Sequence, residues 1–336
     1  MKKYNVAIVG ATGMVGRKFL KVLEERRLPI GGYYLFASKN SAGQTVEFMG
    51  KPYTVVELTR ENILGKNLHY ALFSAGAGVS REFAPVFAQN GIAVIDNSSC
   101  WRMDPAVPLV VPEVNPKDLD WHKGIVANPN CSTIQAVVAL APLHKKFKLK
   151  RVVYSTYQAV SGAGQQGYAD LSEGAKGNPP KKFPKPIFGN ALPQIDVFCP
   201  DGYTKEEHKM MDETRKILGL PDLKVTATAV RVPVFHGHSE SINAEFKRPA
   251  TVESIRGVLS KAPGVVLLDD PANGAYPTPL EAEDRDEVFI GRVRADDSVK
   301  YGANLWVVAD NIRKGAATNA VQILQLLIKK DGKQKK

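Results

Sequence analysis

The sequence predicts an α/β protein with two domains, the first built on a parallel sheet and the second an α+β domain with a mixed sheet. The chain has 336 residues, which is more than a single hydrophobic core usually organises. Its first half alternates short β-branched or aromatic runs with helical patterns, as parallel α/β sheets do. From about residue 151 longer strand-like runs follow one another, which indicates an antiparallel or mixed sheet.

Short apolar runs predict the strands of the first sheet, at residues 6–9, 34–37, 70–73, 93–95 and 125–127. After Gly10 the apolar side chains of Val15, Phe19, Val22 and Leu23 recur at the spacing of one helix face. A strand, a glycine turn and an amphipathic helix therefore open the chain.

The second half carries longer strand-like runs, at residues 152–159, 225–230, 241–246, 288–293 and 304–308. Residues 206–218 have a helical pattern, and the Gly/Pro/Lys-rich residues 174–200 predict mostly loop or a surface that contacts a partner. Apolar positions between Ala320 and Ile328 predict a terminal amphipathic helix that returns to the first domain. The expected domains are residues 1–128 with 312–336, and residues 129–311.

Composition excludes several classes of protein. The formal net charge is +11, but no nucleic-acid-binding module is recognisable, so we interpret the charge as favouring solubility and attracting small anionic substrates. No apolar run approaches the roughly 20 residues that span a bilayer, and the N-terminus lacks the apolar segment of a signal peptide, which predicts a cytoplasmic protein without membrane contact. The three cysteines are too few and too scattered for a disulfide framework or a zinc site, so no metal is expected.

A glycine-rich loop follows the first predicted strand. Residues 10–16 read Gly-Ala-Thr-Gly-Met-Val-Gly and lead directly into a helix, the order that a Rossmann-like dinucleotide-binding domain requires. Glycines let the backbone approach a pyrophosphate, and the helix N-terminus supplies N–H donors and positive dipole charge. Because the spacing is G-x-x-G-x-x-G rather than G-x-G-x-x-G, the loop alone leaves a structural tight turn open.

The loop after the second predicted strand bears on the choice of cofactor. NAD-selective folds place an acidic residue there, which holds the ribose 2′-hydroxyl. Residues 38–43 contain no carboxylate and offer the cation of Lys39, the hydroxyls of Ser38 and Ser41 and the amide of Asn40. This set favours a 2′-phosphate and hence NADP, with an ordinary polar loop as the alternative.

One of the three cysteines stands in a setting that activates a thiol. Cys131 follows a predicted buried strand and opens the apolar helical run 134–140. The dipole and amide donors of a helix start stabilise a thiolate, and the same N–H groups are suited to hold an oxyanion formed when the sulfur attacks a carbonyl. Cys100 and Cys199 lack this setting. The alternative is that Cys131 is only a small buried helix residue.

A thiolate nucleophile needs a group that moves protons, most often histidine. Four of the six histidines have polar, surface-like contexts, whereas His236 and His238 lie between two predicted strands. His238 is the better candidate because it follows flexible Gly237 and leads into a strand, and His236 is then structural. Arg231 lies in the same segment and is suited to clamp a substrate carboxylate with two parallel hydrogen bonds.

Six segments, in order along the chain, resemble those of bacterial aspartate-semialdehyde dehydrogenases. They are residues 9–16, 96–99, 128–133, 158–164, 231–234 and 236–238. The resemblance runs in order from residue 6 to Ala317, nearly the whole chain, and the segments together are specific, although no single segment is. The resemblance implies an NADPH-dependent conversion of L-aspartyl 4-phosphate to L-aspartate 4-semialdehyde and phosphate, in the biosynthesis of lysine, threonine and methionine.

The resemblance also implies roles for individual residues. Cys131 would displace phosphate and form a thioester for reduction, with His238 as acid/base and Gln158 positioning the substrate. Arg231 resembles the clamp for the substrate carboxylate and Glu206 the acceptor for its ammonium. Two cations match phosphate-binding positions, Arg102 and Lys209. Further positions match those that hold the cofactor: Thr12, Gly13, Met14, Val15, Ser161, Gly162 and Asn311.

One position departs from the family pattern. Many relatives that use NADP carry arginine in the motif Ser-x-Arg-Ser-Ala-Gly, where this chain has Asn40. Lys39 beside it offers a point charge rather than the planar fork of arginine. We therefore expect NADP to be preferred, with NAD as a weaker alternative.

Three other functions fit parts of the pattern. N-acetyl-gamma-glutamyl-phosphate reductase would share the Cys/His chemistry, but its acylated substrate has no ammonium for Glu206. Malonyl-CoA reductase uses no phosphate, so it has no use for both Arg102 and Lys209. A non-catalytic dinucleotide-binding protein gives no reason for an activated thiol with a histidine beside it. The resemblance further implies small-molecule substrates and a homodimer or homotetramer, with residues 174–200 as a plausible contact.

Overall fold

The computed structural model of the chain describes residues 3–333. It divides into two compact units, the first Met1–Pro129 with Ala316–Lys336 and the second Asn130–Gly315. The boundaries expected from the sequence, after residue 128 and before residue 312, lie close to these. Residues 1–2 and 334–336, which include the start of the first expected domain and the end of the basic C-terminal tail, lie outside the described residues.

The first unit is built on a parallel sheet. Its elements up to the second unit are β1 (Tyr4–Val9), α1 (Met14–Arg26), β2 (Ile30–Ala37), β3 (Thr45–Phe48), β4 (Lys51–Thr54), β5 (Val56–Glu57), α2 (Arg60–Ile63), β6 (Tyr70–Phe73), α3 (Ala77–Gln89), β7 (Ala93–Asp96) and β8 (Ile125–Ala127). Six strands form the sheet in the order β5-β2-β1-β6-β7-β8, every pair parallel. From β1 the strand order runs outward to β2 and β5 on one side and then, from β6, outward on the other side. Parallel sheets of this kind bind nucleotides at such a reversal of strand order, beyond the carboxyl ends of the strands.

The second unit is built on a mixed sheet. Its elements are α4 (Cys131–Phe147), β9 (Leu149–Gln158), α5 (Gly164–Gly174), α6 (Lys205–Leu218), β10 (Lys224–Arg231), β11 (His238–Phe246), α7 (Val252–Leu259), β12 (Val265–Leu267), α8 (Pro279–Ala282), β13 (Val288–Asp296) and β14 (Gly302–Ala309). The strand order is β10-β9-β11-β14-β13-β12, with the two outermost pairs parallel and the inner pairs antiparallel. The predicted fold class, a Rossmann-like domain plus an α+β domain with a mixed sheet, is confirmed.

Helix α4 brings the start of the catalytic segment to one face of the mixed sheet. Most of its side chains are buried, and it packs against β9, β11, β13 and β14 as well as against α6. A helix that is apolar on nearly every side is buried on nearly every side. Its first residue, Cys131, is thereby fixed relative to strands that carry other candidate residues.

The segment between α5 and α6, residues 175–204, contains no helix or strand within this described stretch. Asp170 organises its first part, because the carboxylate accepts the backbone N–H groups of Lys181, Lys182 and Phe183 at 2.8 to 2.9 Å. The Gly/Pro-rich composition thus corresponds to a loop that is held by these side-chain bonds and, further along, by an isolated antiparallel bridge between Leu192 and Arg231.

The last helix, α9 (Thr318–Lys333), follows a π-helical turn at Arg313–Ala317. Its apolar side chains, from Ala320 to Ile328, belong to the same hydrophobic core as the strands β1 and β6 of the first unit. Within residues 3–333 no helix is both long enough and apolar enough to cross a membrane.

Candidate active site

The glycine loop after β1 has the geometry that close approach of backbone to a ligand needs. Gly10 has φ +84°, and a Cβ there would lie 2.3 Å from the carbonyl oxygen of Ser74. A Cβ on Gly16 would lie 2.0 Å from the carbonyl oxygen of Gly10. Both positions therefore require glycine. Gly13 is the N-cap of α1 and makes no side-chain cap, so the first N–H groups of the helix are suited to a phosphate.

The other expected cofactor residues of the first unit lie beside this loop. Residues Lys39–Ser41 form a single 3-10 turn just after β2, and the hydroxyl of Thr12 donates to that of Ser41 at 3.4 Å. Lys39 and Asn40 are exposed, whereas Met14 and Val15 begin α1 and are partly buried. The turn therefore lies next to the glycine loop, as a ribose-binding turn must.

Arg102 is a buried cation of the first unit, only 8% exposed. Its Nε donates to the carbonyl oxygen of Asn128 at 3.0 Å and its Nη2 to that of Asn97 at 2.9 Å. These residues follow β8 and β7, so the guanidinium is fixed at the carboxyl edge of the sheet. Its role in phosphate binding stays a prediction.

Cys131 is the first residue of α4, and its neighbour Asn130 is the N-cap. The side-chain oxygen of Asn130 accepts the backbone N–H groups of Ser132 at 3.0 Å and Thr133 at 3.2 Å. These amides were expected to hold an oxyanion; they are instead bonded to the cap. The helix dipole still acts on the sulfur, but an oxyanion needs another donor.

Two residues that the sequence analysis missed hold the nucleophile in place. A Cβ on Gly315 would lie 2.8 Å from the Cβ of Cys131, so only glycine lets this turn pass the nucleophile. The backbone N–H of Asn130 donates to the carboxylate of Glu213 on α6 at 2.6 Å. The motif Asn-Pro-Asn-Cys contained a signal for the cap, since asparagine is among the best N-cap residues.

Glu206, on the first turn of α6, links several of the expected residues. Its Oε1 accepts from Asn130 Nδ2 at 2.8 Å and from Gln158 Nε2 at 3.3 Å. Its Oε2 accepts from Lys209 Nζ at 3.2 Å, and the same ammonium contacts Asp196 Oδ2 at 2.8 Å. Glu206, Gln158 and Lys209 therefore belong to one hydrogen-bond network, which is buried at Glu206 and Gln158 and half-buried at Lys209, and which reaches the residue before the nucleophile.

The backbone of Ala159 positions two further candidates. Its N–H donates to Nδ1 of His238 at 3.0 Å, and its carbonyl oxygen accepts from Nη1 of Arg231 at 2.7 Å. A Cβ on Gly162 would lie 2.9 Å from Arg231 Nη1 and 3.4 Å from His238 Nε2. The guanidinium and the imidazole therefore converge over Gly162, where only a glycine leaves them room.

Burial lowers the pKa of both His238 and Arg231. It lowers the pKa of His238 well below its ordinary value, and the charge of Arg231 lowers it further. The ring is therefore neutral, and because Nδ1 accepts a hydrogen bond, its one proton is on Nε2. Burial also lowers the pKa of Arg231, while Glu206 and Cys131 act in the opposite direction. His238 thus presents an Nε2–H donor beside a cation.

The last expected cofactor positions, Ser161 and Asn311, are bonded to each other. Asn311 Nδ2 donates to Ser161 Oγ at 3.0 Å, and Asn311 Oδ1 accepts the backbone N–H of Gly237 at 3.0 Å. This pair fixes the loop that leads into His238. The second unit therefore brings together nearly all the residues expected at its site, from Cys131 to Asn311.

Known proteins show the same two-part organisation. Residues 5–122 match the family model described as semialdehyde dehydrogenase, NAD binding domain, and residues 140–314 match semialdehyde dehydrogenase, dimerisation domain. An aspartate-semialdehyde dehydrogenase of Aquifex aeolicus is 59% identical over 335 residues, covering 97% of this chain and 98% of the relative. The chain belongs to the aspartate-semialdehyde dehydrogenase family. It is an oxidoreductase of amino-acid biosynthesis, and the acetylglutamyl-phosphate alternative has no comparable support.

Solved structures of aspartate-semialdehyde dehydrogenases have the same fold. Enzyme II of Vibrio cholerae, complexed with ASA, is 44% identical with a TM-score of 0.93, covering 98% of this chain and 99% of that one. The Candida albicans enzyme, solved with NADP, is 26% identical with a TM-score of 0.77, covering 97% and 98%. The family thus includes members with a bound substrate and a bound nucleotide.

Proposed function

We propose that the enzyme reduces L-aspartyl 4-phosphate to L-aspartate 4-semialdehyde with NADPH, through a thioester on Cys131. The observation that carries the proposal is the convergence of the nucleophile's helix start, Glu206, Arg231 and His238 in one buried site. A buried cation, a buried carboxylate and a buried imidazole gathered beside a potential nucleophile are typical of a functional site that binds a charged ligand.

The charges of the substrate have matching partners in the second unit. Arg231 presents a planar cation for the α-carboxylate, and Glu206 a carboxylate for the α-ammonium. These two side chains are electrostatically coupled, which suits a substrate that carries both charges on one carbon atom. Lys209, one turn along α6, supplies a cation for phosphate, and Arg102 of the first unit is the second candidate.

The chemistry follows from the states of Cys131 and His238. The helix start and Arg231 favour the thiolate, which attacks the acyl carbon; the C–O bond to phosphate breaks and the thioester forms. NADPH, when bound, supplies the hydride that reduces the thioester. His238 donates a hydrogen bond from Nε2–H to the carbonyl oxygen as it gains negative charge. Collapse of that tetrahedral species releases the aldehyde and regenerates the thiolate.

This route assigns His238 a narrower role than acid/base. A neutral ring that carries its proton on Nε2 cannot also take the thiol proton there. Protonation of Nδ1 would displace the N–H of Ala159. His238 therefore acts as a hydrogen-bond donor, and the thiol ionises by releasing its proton to solvent.

The residues of the first unit fit a dinucleotide with a 2′-phosphate. The glycine loop would hold the pyrophosphate, and Lys39, Ser41 and Thr12 would hold the 2′-phosphate, since no carboxylate lies at residues 38–43. Ser161, Gly162 and Asn311 of the second unit are the further cofactor-binding positions that the family resemblance implies. The NADP complex of the Candida albicans relative supports this choice over NAD.

The outer face of the mixed sheet is a candidate surface for self-association. Tyr157 is 40% exposed, its ring lies 5.5 Å from that of Trp306, and both line a cavity of about 420 Å³ with Tyr276, Arg292 and Arg294. The match to a dimerisation domain supports a homodimer through this face. A tetramer, and a contact through residues 174–200, are alternatives that sedimentation of variants distinguishes. The cytoplasmic location expected from the sequence awaits cell fractionation.

A steady-state assay in the phosphate-consuming direction tests the proposed activity. L-aspartate semialdehyde should be oxidised only in the presence of phosphate, and NADP should exceed NAD in kcat/KM by about 5- to 150-fold, which corresponds to one point charge on the 2′-phosphate. Lys39→Ala should reduce that ratio and Asn40→Arg should increase it. Activity without phosphate, or a preference for NAD, would contradict the respective part of the proposal.

A further inference from the structure

A second cluster of reactive side chains lies outside the catalytic set. The ligand atoms of Cys199, Asp201 and His208 all lie within 4.8 Å of one another, and His208 Nε2 is 3.0 Å from Asp201 Oδ2. None of the three has a role in the proposed reaction. We propose that they form a binding site for Zn²⁺.

The cluster is presented by two well-defined elements, a tight turn and a helix. In the turn, the N–H of Cys199 donates to the carbonyl oxygen of Tyr203 at 2.7 Å, and that of Gly202 to the carbonyl oxygen of Cys199 at 3.0 Å. Asp201 Oδ1 accepts the N–H of Tyr203 at 3.2 Å. His208 is in the first turns of α6, and its ring packs 5.7 Å from that of Tyr203. The turn and the start of α6 therefore bring the three ligand atoms close together.

The ligand types select zinc over other common ions. A thiolate, an imidazole and a carboxylate are its usual donors, whereas magnesium and calcium take oxygen ligands only. Zinc bonds of about 2.0–2.3 Å place tetrahedral ligands roughly 3.5 Å apart. The three side chains are partly exposed, so rotations that move their tips by about 1 Å complete the geometry, and water takes the fourth position.

The site lies close to a residue that the proposed function uses. Lys209 follows His208 and contacts Asp196 at 2.8 Å, while the N–H of Lys205 donates to the carbonyl oxygen of Val197 at 3.0 Å. The segment before α6 is thus already tied to the helix, and a metal bond from Cys199 to His208 strengthens the tie. Bound zinc therefore favours the Asp196–Lys209 pair over a Lys209–phosphate pair. This second step rests on the proposed role of Lys209.

Binding is tested with Co²⁺, which gives a thiolate-to-metal charge-transfer band and is displaced by Zn²⁺. The band should appear in the wild type, in Cys100→Ala and in Cys131→Ala, and should be lost in Cys199→Ala and His208→Gln. Circular dichroism and gel filtration of the last two variants establish that they are folded. A band that is lost only in Cys131→Ala, or no band at all, would overturn the site.

Coupling to the reaction is tested by the KM for phosphate with and without Zn²⁺. Zinc should raise this KM by about threefold in the wild type, which corresponds to about 0.7 kcal/mol and lies within the range of exposed ion pairs, and it should leave the KM unchanged in Cys199→Ala. An equal effect in both proteins, or none in the wild type, would overturn the coupling but not the metal site. Lys209→Ala without metal separates the two ideas, because an unchanged phosphate KM there contradicts the proposed role of Lys209 itself.

Discussion

At the scale of single residues, Arg231 makes two interactions at once that a lysine side chain cannot make together. Its Nη1 donates to the carbonyl oxygen of Ala159, and the rest of the planar fork is available to a carboxylate. Arg231→Lys keeps the charge but loses the planar fork. The activation free energy should therefore rise by about 2–4 kcal/mol, which lowers kcat/KM by roughly 30- to 1,000-fold. Steady-state kinetics with L-aspartate semialdehyde measure this. A change under about threefold would make Arg231 a structural residue.

Glu240 is a buried carboxyl that should limit stability at high pH. It is fully buried on β11, and neither of its oxygens has a hydrogen-bond partner among the described residues. Burial, with a further contribution from Glu206, raises its pKa well above 4.5. The unfolded chain ionises near that value, so the stability that the neutral carboxyl provides is complete below it and declines as the pH rises towards the folded-state pKa.

Glu240→Gln removes this titration while keeping the shape of the side chain. The free energy of unfolding of the variant minus that of the wild type should therefore grow with pH above about 4.5, by up to about 1.4 kcal/mol per pH unit, and the difference in melting temperature should grow with it. Thermal unfolding followed by circular dichroism at several pH values measures it. A difference that is independent of pH would mean that Glu240 is ionised in the folded protein.

The reactive side chains could be predicted from the sequence, whereas the residues that hold them in position could not. The setting of Cys131 at a helix start, and of His238 between two strands, follows from local pattern alone. Ala159 acts through its backbone atoms, and Glu213 through a contact across 83 residues, so neither leaves a local signal. The cap that Asn130 makes depends on one side-chain rotamer, and for this reason the sequence did not show that the amides of Ser132 and Thr133 are already bonded.

At the scale of elements, the turn before α9 must come close to the start of α4. Gly315→Ala would place a Cβ 2.8 Å from that of Cys131, which forces the nucleophile or the turn to shift. We expect kcat to fall by at least about 100-fold, as misplacement of a reacting group by about 1 Å does, with a smaller effect on the melting temperature.

Gly257→Ala is the matched control for that substitution. Gly257 lies inside α7 with open space around its Cβ position, so alanine there should leave kcat unchanged and stabilise the helix slightly. If Gly315→Ala retained wild-type kcat, the turn would tolerate the added methyl group and the close packing against Cys131 would be unimportant.

Most elements with a clear apolar or periodic run were predictable whatever their length, and elements without one were not. Strands such as β9 and β11 and the helix α6 carry enough periodic residues to be recognised, to within a few residues at each end. The hairpin of β3 and β4, the strand β12 and the helix α5 escaped recognition. α5 begins with Gly164 and includes Gly167, and glycine is a poor predictor of helix; here it allows close packing against Val160 and Ala163.

At the scale of the whole molecule, self-association should depend on the outer face of the mixed sheet. Tyr157→Arg places a charge on that face, so the protein should dissociate to monomers. Light scattering coupled to gel filtration measures the mass of the resulting species. Phe188→Arg, on the 174–200 segment and 54% exposed, is the control. Dissociation by Phe188→Arg with an intact oligomer in Tyr157→Arg would place the contact on the loop instead.

The covalent thioester is the central claim, and a single-turnover experiment without NADPH tests it most directly. L-aspartyl 4-phosphate added in excess over the enzyme should release one phosphate per active site, and acid-quenched protein should carry an aspartyl group on the peptide that contains Cys131. Cys100→Ala and Cys199→Ala should behave as the wild type, and Cys131→Ala should give neither burst nor adduct. Phosphate release that requires NADPH, or an adduct on any other residue, would contradict the account.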